Sequence, residues 1–393
     1  MKKLMTATAI SALMSSAAFA EDIKLGVIFG FTGPIESLTG HMAAGAELAM
    51  KEVSDSGLLL DGSTVTSVRA DSTCIDSAAA TAAAERLVTS DKVNAIVGAD
   101  CSGVTGAVLQ NVARANGVVM VSPSATSPAL SSAEDDGLFF RTAPSDAREG
   151  QVMTDILMEE GIKSVALTYT NNDYGKGLAD SFVSAFEAAG GEITVNISHE
   201  DGKADYSSEV GTLASAGGDI LVVAGYLDQG GRGIIEGSLD TGAWDRFVLP
   251  GGMIGDNILT IGEGLNGSFG QIAGTDSPGK ATYSEMATAA EFDGTSPFAP
   301  ESYDAAALIM LAMQAAGSSA SADIKDKIMD VANAPGEKIF PGELAKGLQI
   351  LKDGGDIDYV GASAVELIGG GESAGNYRQV LVKDGKFVDV KFR

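Results

Sequence analysis

The chain has 393 residues, and its 26 Lys and Arg against 53 Asp and Glu give a formal net charge of −27 at pH 7. Such an anionic body repels phosphate backbones and anionic lipid surfaces, which argues against nucleic acid or a bilayer as its partner. With 45% hydrophobic and 20% charged residues, the composition is typical of a globular protein rather than a disordered one. The length predicts two domains or lobes.

Residues 1–20 have the features of a secretory signal peptide. Lys2 and Lys3 precede an apolar stretch that ends in Ala-Phe-Ala at residues 18–20. Cleavage after Ala20 would release a mature chain that begins at Glu21 and is exported to the periplasm. No later apolar run reaches the roughly 18 residues that a membrane-spanning helix needs. We therefore expect a soluble periplasmic protein.

Cys74 and Cys101 are the only cysteines of the chain. An oxidising compartment favours their pairing, so the sequence predicts one disulfide. Such a bond would contribute roughly 3–4 kcal/mol by restricting the unfolded chain. The alternative is a pair of buried free thiols.

Strand and helix patterns alternate from the mature start. Apolar strand patterns alternate with helical ones in the order 23–29, 42–53, 65–70, 78–89, 93–97, 103–116 and 118–121. This alternation predicts parallel strands with right-handed crossovers, and hence an open α/β sheet with helices on both faces.

A second run of the same alternation starts near Gln151. Its strand patterns are 165–169, 193–198, 220–224 and 247–249. Pro144 and polar residues interrupt the pattern at 139–145, where we expect the chain to cross between lobes. Helix patterns at 282–292, 302–316 and 321–333 follow, and the pattern alone leaves open which lobe they join. Strand patterns at 379–382 and 387–390 flank an Asp-Gly turn and predict a hairpin.

Small polar residues follow two of the predicted strands, where ligands bind in open α/β sheets. Ser102 opens the helix pattern 103–116, and free backbone N–H groups at a helix start suit a carboxylate. The loop 122–128 is rich in hydroxyl groups and contains Ser124, Ala125 and Thr126. The alternative is ordinary helix capping and turn chemistry.

Two motifs match the spacing of a phosphate-binding loop and of a serine nucleophile, but the residues around them do not fit either function. Residues 274–280 have the spacing of a phosphate-binding loop, but Ala281 stands where Ser or Thr must hold magnesium. Gly-Glu-Ser-Ala-Gly at 371–375 matches a nucleophile elbow, yet His41 and His199 both precede Ser373 and no helix pattern follows it. A secreted serine hydrolase using Ser373 is therefore kept only as an alternative. No Cys/His cluster indicates a metal, and no cofactor is implied.

The chain resembles the periplasmic leucine/isoleucine/valine-binding proteins of ABC importers over essentially all of residues 21–393. The segments that carry this resemblance are 21–24 with 33–34, the Cys74 and Cys101 pair, 101–102, 123–128 and 173–177. It implies the type I periplasmic binding fold, an α/β fold of two Rossmann-like lobes with parallel sheets joined by three crossover strands. Lobe 1 would be 21–142 plus 274–342, and lobe 2 would be 143–273 plus 343–393.

The resemblance also implies a ligand site between the lobes. Side chains at Ser102 and Thr126, with the backbone at Ser124 and Ala125, would hold the carboxylate and part of the ammonium of an amino acid. The aromatic rings of Tyr174 and Tyr226 would close over the ligand from lobe 2. Phe298 would be a further aromatic residue near the pocket. The alternative for the two tyrosines is core packing.

One departure from the family concerns the ammonium. The family's second-lobe carboxylate falls on Gly251, and a buried ammonium without an anionic partner would cost several kcal/mol. Either Asp256 or Asp100 therefore replaces it, or the ligand is not a standard α-amino acid. Asp100 could equally be a solvated or capping residue; in the pocket it would favour a polar or cationic side chain. Leu38 stands where the family places an aromatic.

The implied function is that of a periplasmic substrate-binding protein, not an enzyme. It would capture a small amino acid, branched-chain or polar aliphatic, or a related amide by hinge closure, and deliver it to an ABC transporter permease in the inner membrane. A ligand-sensing receptor subunit with the same fold is the alternative within the binding class. The sequence leaves the ligand side chain and the oligomeric state open.

Overall fold

The computed structural model describes residues 20–393, so the predicted signal peptide up to residue 19 lies outside the described residues. The chain forms two α/β lobes, each built around its own sheet. The sheet of lobe 1 has five parallel strands in the order β2-β1-β3-β4-β5. Its strands are β1 (Asp22–Phe29), β2 (Thr64–Asp71), β3 (Ala95–Gly98), β4 (Met120–Ser122) and β5 (Phe139–Arg141).

Helices cover both faces of this sheet, which explains why its central strands are continuous apolar runs. The first helices are α1 (Glu36–Ser56), α2 (Ser77–Arg86), α3 (Ser102–Val108) and α4 (Arg114–Asn116). A π-helical turn, Leu109–Ala113, joins α3 to α4, so the helical segment continues from 102 to 116 as the sequence predicts. Gly117 ends it in the left-handed conformation, with φ of 65°.

The chain then builds most of lobe 2 with the same alternation. The strands are β6 (Ser164–Thr170), β7 (Glu192–His199), β8 (Ile220–Ala224), β9 (Phe247–Leu249) and β10 (Phe269–Ala273). The helices are α5 (Asp146–Glu159), α6 (Asp173–Ala188), α7 (Ser207–Ala216), α8 (Gly230–Thr241) and α9 (Asp256–Leu259). These five strands pair in parallel.

The next segment returns to lobe 1, as the resemblance implied. It contains α10 (Pro278–Ala289), α11 (Ala299–Ala316), α12 (Ser321–Ile324), α13 (Ile328–Ala332), β11 (Glu337–Ile339), α14 (Leu344–Lys352), β12 (Ile357–Tyr359), β13 (Leu367–Ile368) and β14 (Glu372–Ser373). The central helix α11 is buried and packs along α1. Within residues 20–393 no single helix is long and apolar enough to cross a membrane, although α11 passes such a test jointly with 321–332 across a 91° bend.

The lobe boundary expected at residue 342 is wrong. The helix α14 packs against α1 and α11, and β12 pairs with β11. The buried carboxylate of Asp304 on α11 holds the following turn, because it accepts hydrogen bonds from the Tyr359 hydroxyl at 2.6 Å and from the Ser363 amide at 2.7 Å. The chain therefore stays with lobe 1 through β14, and the third crossing lies between β14 and the next strand.

A C-terminal hairpin completes lobe 2, as the Asp-Gly signal predicts. Its strands, β15 (Tyr377–Lys383) and β16 (Lys386–Phe392), flank Asp384 and Gly385, whose φ values of 52° and 71° suit a tight turn. The strand order of lobe 2 is β16-β15-β10-β9-β8-β6-β7. β15 runs antiparallel to β10, so this sheet is mixed rather than wholly parallel.

The predicted disulfide is present. Cys74 and Cys101 are bonded, with their Cα atoms 5.1 Å apart. The bond ties the loop after β2 to the start of α3, and both side chains are buried. It therefore restrains two of the loops at the carboxyl edge of the first sheet.

Candidate functional site

A pocket lies between the carboxyl ends of the two sheets. It contains eight of the ten residues that the sequence singled out: Asp100, Ser102, Ser124, Thr126, Tyr174, Tyr226, Gly251 and Phe298. It is completed by Ile35, Leu38, Cys101, Glu149 and Gly252. Loops from distant parts of the chain meet here because both sheets present the same edge to the cleft.

Hydroxyl groups and loop backbone form the lobe 1 wall. The Ser102 Oγ accepts a hydrogen bond from the Ser127 amide at 3.1 Å, and the Ser124 hydroxyl donates to the Asp100 carbonyl at 3.0 Å. Arg141 braces this loop from behind, since its fully buried guanidinium donates to the Ser127 carbonyl at 2.9 Å. The polar groups of this wall are thus held in place by hydrogen bonds within lobe 1.

Ala125 does not line the pocket, contrary to the expectation that its backbone contacts the ligand. Its amide donates to the Ser122 Oγ at 3.0 Å, and its carbonyl accepts from Arg141 at 3.1 Å. Both backbone groups are therefore already bonded inside lobe 1, and the side chain is completely buried.

Two stacked tyrosines form much of the lobe 2 wall. The ring centroids of Tyr174 and Tyr226 lie 5.1 Å apart with an interplanar angle of 18°. The Tyr174 hydroxyl oxygen accepts a hydrogen bond from the Gly252 amide at 3.1 Å. Burial raises the pKa of both hydroxyls well above the usual range, so the rings stay neutral. They present an apolar stacked surface to the cleft.

Asp100 joins two loops of lobe 1 through its carboxylate. Its Oδ2 accepts from the Gly30 amide at 2.6 Å and its Oδ1 accepts from the Ser72 hydroxyl at 2.9 Å. Burial raises the pKa of this carboxyl, and both oxygens are used to join the loops after β1 and β2. These contacts disfavour Asp100 as the replacement for the missing acid, although the residue does border the pocket.

Asp256 does not line this pocket, which argues against it as the replacement. It lies exposed in the first turn of α9 and borders a separate outer cavity of about 790 Å³, which Leu38 and His41 also line. The backbone turns away from the pocket after Gly252, which carries the Asp256 side chain to the mouth of the cleft.

Glu149 lines the pocket from lobe 2, and the sequence reasoning missed it. It is 3% exposed and lies in the first turn of α5, where its Oε1 accepts from the Gly251 amide and from the Gln271 side chain, each at 2.9 Å. A Cβ at position 251 would sit 3.7 Å from both Glu149 oxygens. The carboxylate expected at 251 thus arrives from another element and occupies space beside the glycine.

The missed signal was a pair of acids, Asp146 and Glu149, in the first turn of a helix directly after the lobe crossing. In sequence this pattern is typical of solvent-exposed helix capping. In the structure both acids are buried, and burial raises the pKa of each; for Asp146 the negative charge of Glu149 adds to the shift.

The two lobes touch across the cleft on the side of α1. Ser37 donates from its amide and its hydroxyl to the carboxylate of Asp228, each at 2.9 Å, and the Asp228 amide donates to the Pro34 carbonyl at 3.1 Å. On another side, Gly177 of α6 approaches the Ser127 side chain so closely that a Cβ would lie 3.0 Å from its Oγ. The structure therefore shows the cleft closed.

The other motifs fall outside this pocket. Ser373 lies in the short strand β14, paired with β13, and the chain passes from there to a hairpin rather than a helix. Lys280 lies within α10. Within residues 20–393 no cluster of three or more His, Cys, Asp and Glu side chains is arranged to hold a metal ion.

The closed cleft, with hydroxyl donors on one wall and a carboxylate and aromatic rings on the other, defines a two-lobed protein that encloses a small solute. A family model described as periplasmic binding protein matches residues 22–342, and the chain belongs to this family.

Known proteins agree with this assignment. The chain is 32% identical over 281 residues to the Leu/Ile/Val-binding protein homolog 3 of Brucella melitensis, covering 70% of this chain and 71% of that protein. It is 28% identical to the Leu/Ile/Val-binding protein BraC3 of Rhizobium johnstonii, covering 90% of both. The crystal structure of a leucine-binding protein, LivK, from Thermotoga maritima shares the fold, with a TM-score of 0.78, 21% identity and coverage of 94% and 98%.

Proposed function

We propose that this protein captures a small zwitterionic amino acid and delivers it to the permease of an ABC importer. The observation that carries the proposal is the position of Glu149 opposite Ser102 and Thr126. The hydroxyl-rich wall and the start of α3 suit a carboxylate, and Glu149 suits an ammonium. Two relatives are named as Leu/Ile/Val-binding proteins or homologues of them, which supports the same ligand class.

The lining favours an aliphatic ligand side chain over a charged one. Ile35, Leu38 and Phe298 present apolar atoms to the pocket, and the carboxylate of Asp100 is turned into lobe 1. Burial of an aliphatic side chain in these surroundings makes binding more favourable. A charged side chain would lose its hydration there without gaining an oppositely charged partner. We therefore propose a branched-chain or other small aliphatic amino acid.

The role we propose is binding without catalysis, in the periplasm. The pattern of a signal peptide and membership of a periplasmic family support the location. Lobe 1 would take the carboxylate first, and lobe 2 would then close Tyr174, Tyr226 and Glu149 over the ligand. The permease would recognise the closed form.

Thermal unfolding with added ligands tests the proposal. The panel contains the aliphatic amino acids, the corresponding acids without the amine, and the amino-acid amides. A ligand at 100 times its dissociation constant adds roughly 2.7 kcal/mol to stability, so a shift is expected with the aliphatic amino acids and not with the acids lacking an amine. A shift only with compounds that lack the amine would contradict it.

Matched variants localise the binding. Ser102→Ala, Thr126→Ala and Glu149→Gln should each weaken binding of a responding amino acid by roughly 1–3 kcal/mol. The first two remove a hydrogen-bond donor to the ligand carboxylate, and the third removes the negative charge beside its ammonium group. Glu187→Gln, at an exposed position of α6, is the control and should leave affinity unchanged. Unchanged affinity in all three pocket variants would remove the assigned site.

A further inference from the structure

Asp146 is a buried acid that the binding role described above does not use. Its side chain is fully buried, and neither Oδ atom has a hydrogen-bond partner of good geometry in the described part of the chain, although the nearby Thr126 hydroxyl lowers its pKa. Asp146 and Glu149 are spaced i and i+3 on α5, so their side chains lie on the same face of the helix. The two carboxylates are therefore neighbours, and each is only an acceptor when ionised.

No cation in the described part of the chain is in contact with this pair, although the positive charge of Arg141 lowers the pKa of Asp146. Within residues 20–393 neither carboxylate forms an ion pair, and the nearby guanidinium of Arg141 is 3.0 Å from Glu372. The charged and titratable groups that face the pair are Arg141 of β5 and the tyrosines Tyr174, Tyr226 and Tyr377. The tyrosines carry no charge at neutral pH, because burial raises the pKa of each hydroxyl well above its usual range.

Two adjacent carboxylates with no cation in contact favour a shared proton in a buried site. Burial raises the pKa of both groups, and the charge of Glu149 raises that of Asp146 further. A proton on Asp146 would also convert the contact between two acceptors into a hydrogen bond donated to Glu149. One positive charge beside Glu149 is therefore electrostatically favourable.

We propose that the ligand-free protein holds one proton on the Asp146–Glu149 pair and that an incoming ammonium group displaces it to solvent. This inference rests on the proposed function, since it requires an amine at Glu149. The O–H bond of Asp146 breaks and its proton passes to the buffer. The ammonium keeps its own protons and donates a hydrogen bond to Glu149. The two carboxylates thus share one positive charge in both states, which is the proton in the free protein and the ammonium group in the complex.

Ligand capture is then coupled to pH. Where the pair holds its proton, each unit of falling pH should weaken amino-acid binding by up to tenfold, because a proton and an ammonium compete for one place.

Titration calorimetry with L-valine at pH 7 tests this inference. Measurements in phosphate and in Tris, whose heats of ionisation differ, give the number of protons released per valine bound. The expected result is close to one proton for the wild type and close to none for Asp146→Asn, which still binds valine. Glu187→Gln should release as many protons as the wild type.

Each outcome distinguishes the two proposals. Measurable valine binding with no proton release by the wild type would overturn the shared proton and leave the proposed function standing. Equal proton release by Asp146→Asn and the wild type would show that the proton comes from elsewhere. Should Asp146→Asn fail to fold, the wild type alone decides, since its affinity must fall between pH 8 and pH 6. No binding of any aliphatic amino acid would overturn both proposals.

Discussion

The carboxyl of Glu301 should make the stability of this protein fall as the pH rises. Glu301 lies in the first turn of α11 and is 3% exposed, and it borders a cavity of about 120 Å³ beside the lobe crossings. Lys280 and Arg378 line the same cavity without forming an ion pair with it. Burial raises the pKa of Glu301 to about 8, and the negative charge of Asp304 contributes.

The sign and size of the effect follow from this shift. A carboxyl whose pKa is raised from 4.5 to about 8 on folding contributes stability that is complete below pH 4.5 and is lost as the pH rises to about 8. At about 1.4 kcal/mol per pH unit, the loss over this window is about 4–5 kcal/mol. Glu301→Gln removes the titrating group and should remove this part of the pH dependence.

Urea unfolding of the wild type and Glu301→Gln at pH 5.0 and pH 8.5 measures the effect. The free energy of unfolding of the variant, relative to the wild type, should rise by several kcal/mol between these two values. Glu285→Gln, at an exposed position of α10, is the matched control and should follow the wild type at both. Parallel behaviour of Glu301→Gln and the wild type would refute the assignment of a neutral buried carboxyl.

Three further predictions concern the disulfide, a buried histidine and the contact between lobes. Cys74→Ser should lower the free energy of unfolding in urea by roughly 3 kcal/mol, as reduction of the wild type should, and equal stability would show that the bond to Cys101 restrains little. Burial lowers the pKa of His199 to about 4, so it should cost about 3 kcal/mol of stability as the pH falls from 6.5 to about 4. His199→Gln should flatten that slope, and an unchanged slope would contradict the reasoning. Asp228→Ala should weaken ligand binding roughly fivefold and increase the radius of gyration in X-ray scattering, because two hydrogen bonds across the closed cleft are lost. An unchanged affinity would show that this contact does not stabilise closure.

Local signals in the sequence predicted many of the strands and helices of the fold. The strand pattern at 220–224 coincides with β8, and the Asp-Gly turn predicts the hairpin of β15 and β16. These features depend on near neighbours in the chain, such as apolar runs, turn residues and helix starts. The rule that ligands bind at strand ends led to Ser102 and Thr126, and the resemblance to a family supplied Tyr174 and Tyr226.

The partners of buried carboxylates were decided only by the tertiary structure. The sequence offered Asp100 as one of two acids for an ammonium, but its oxygens accept from Gly30 and Ser72. Glu149 was not singled out, and α5 places it beside Gly251. The third lobe crossing lies later in the chain than predicted because of another buried carboxylate. Asp304 holds a turn more than fifty residues further along the chain in lobe 1.

Local sequence patterns report which backbone conformation a segment prefers, because that preference arises from adjacent residues. The charge state and the role of a buried acid depend instead on which donors and which other charges surround it. Those neighbours come from remote segments that meet only when both lobes have formed. The two-lobed scaffold of this protein could therefore be predicted from its sequence, whereas the role of Glu149 at the ligand pocket could not.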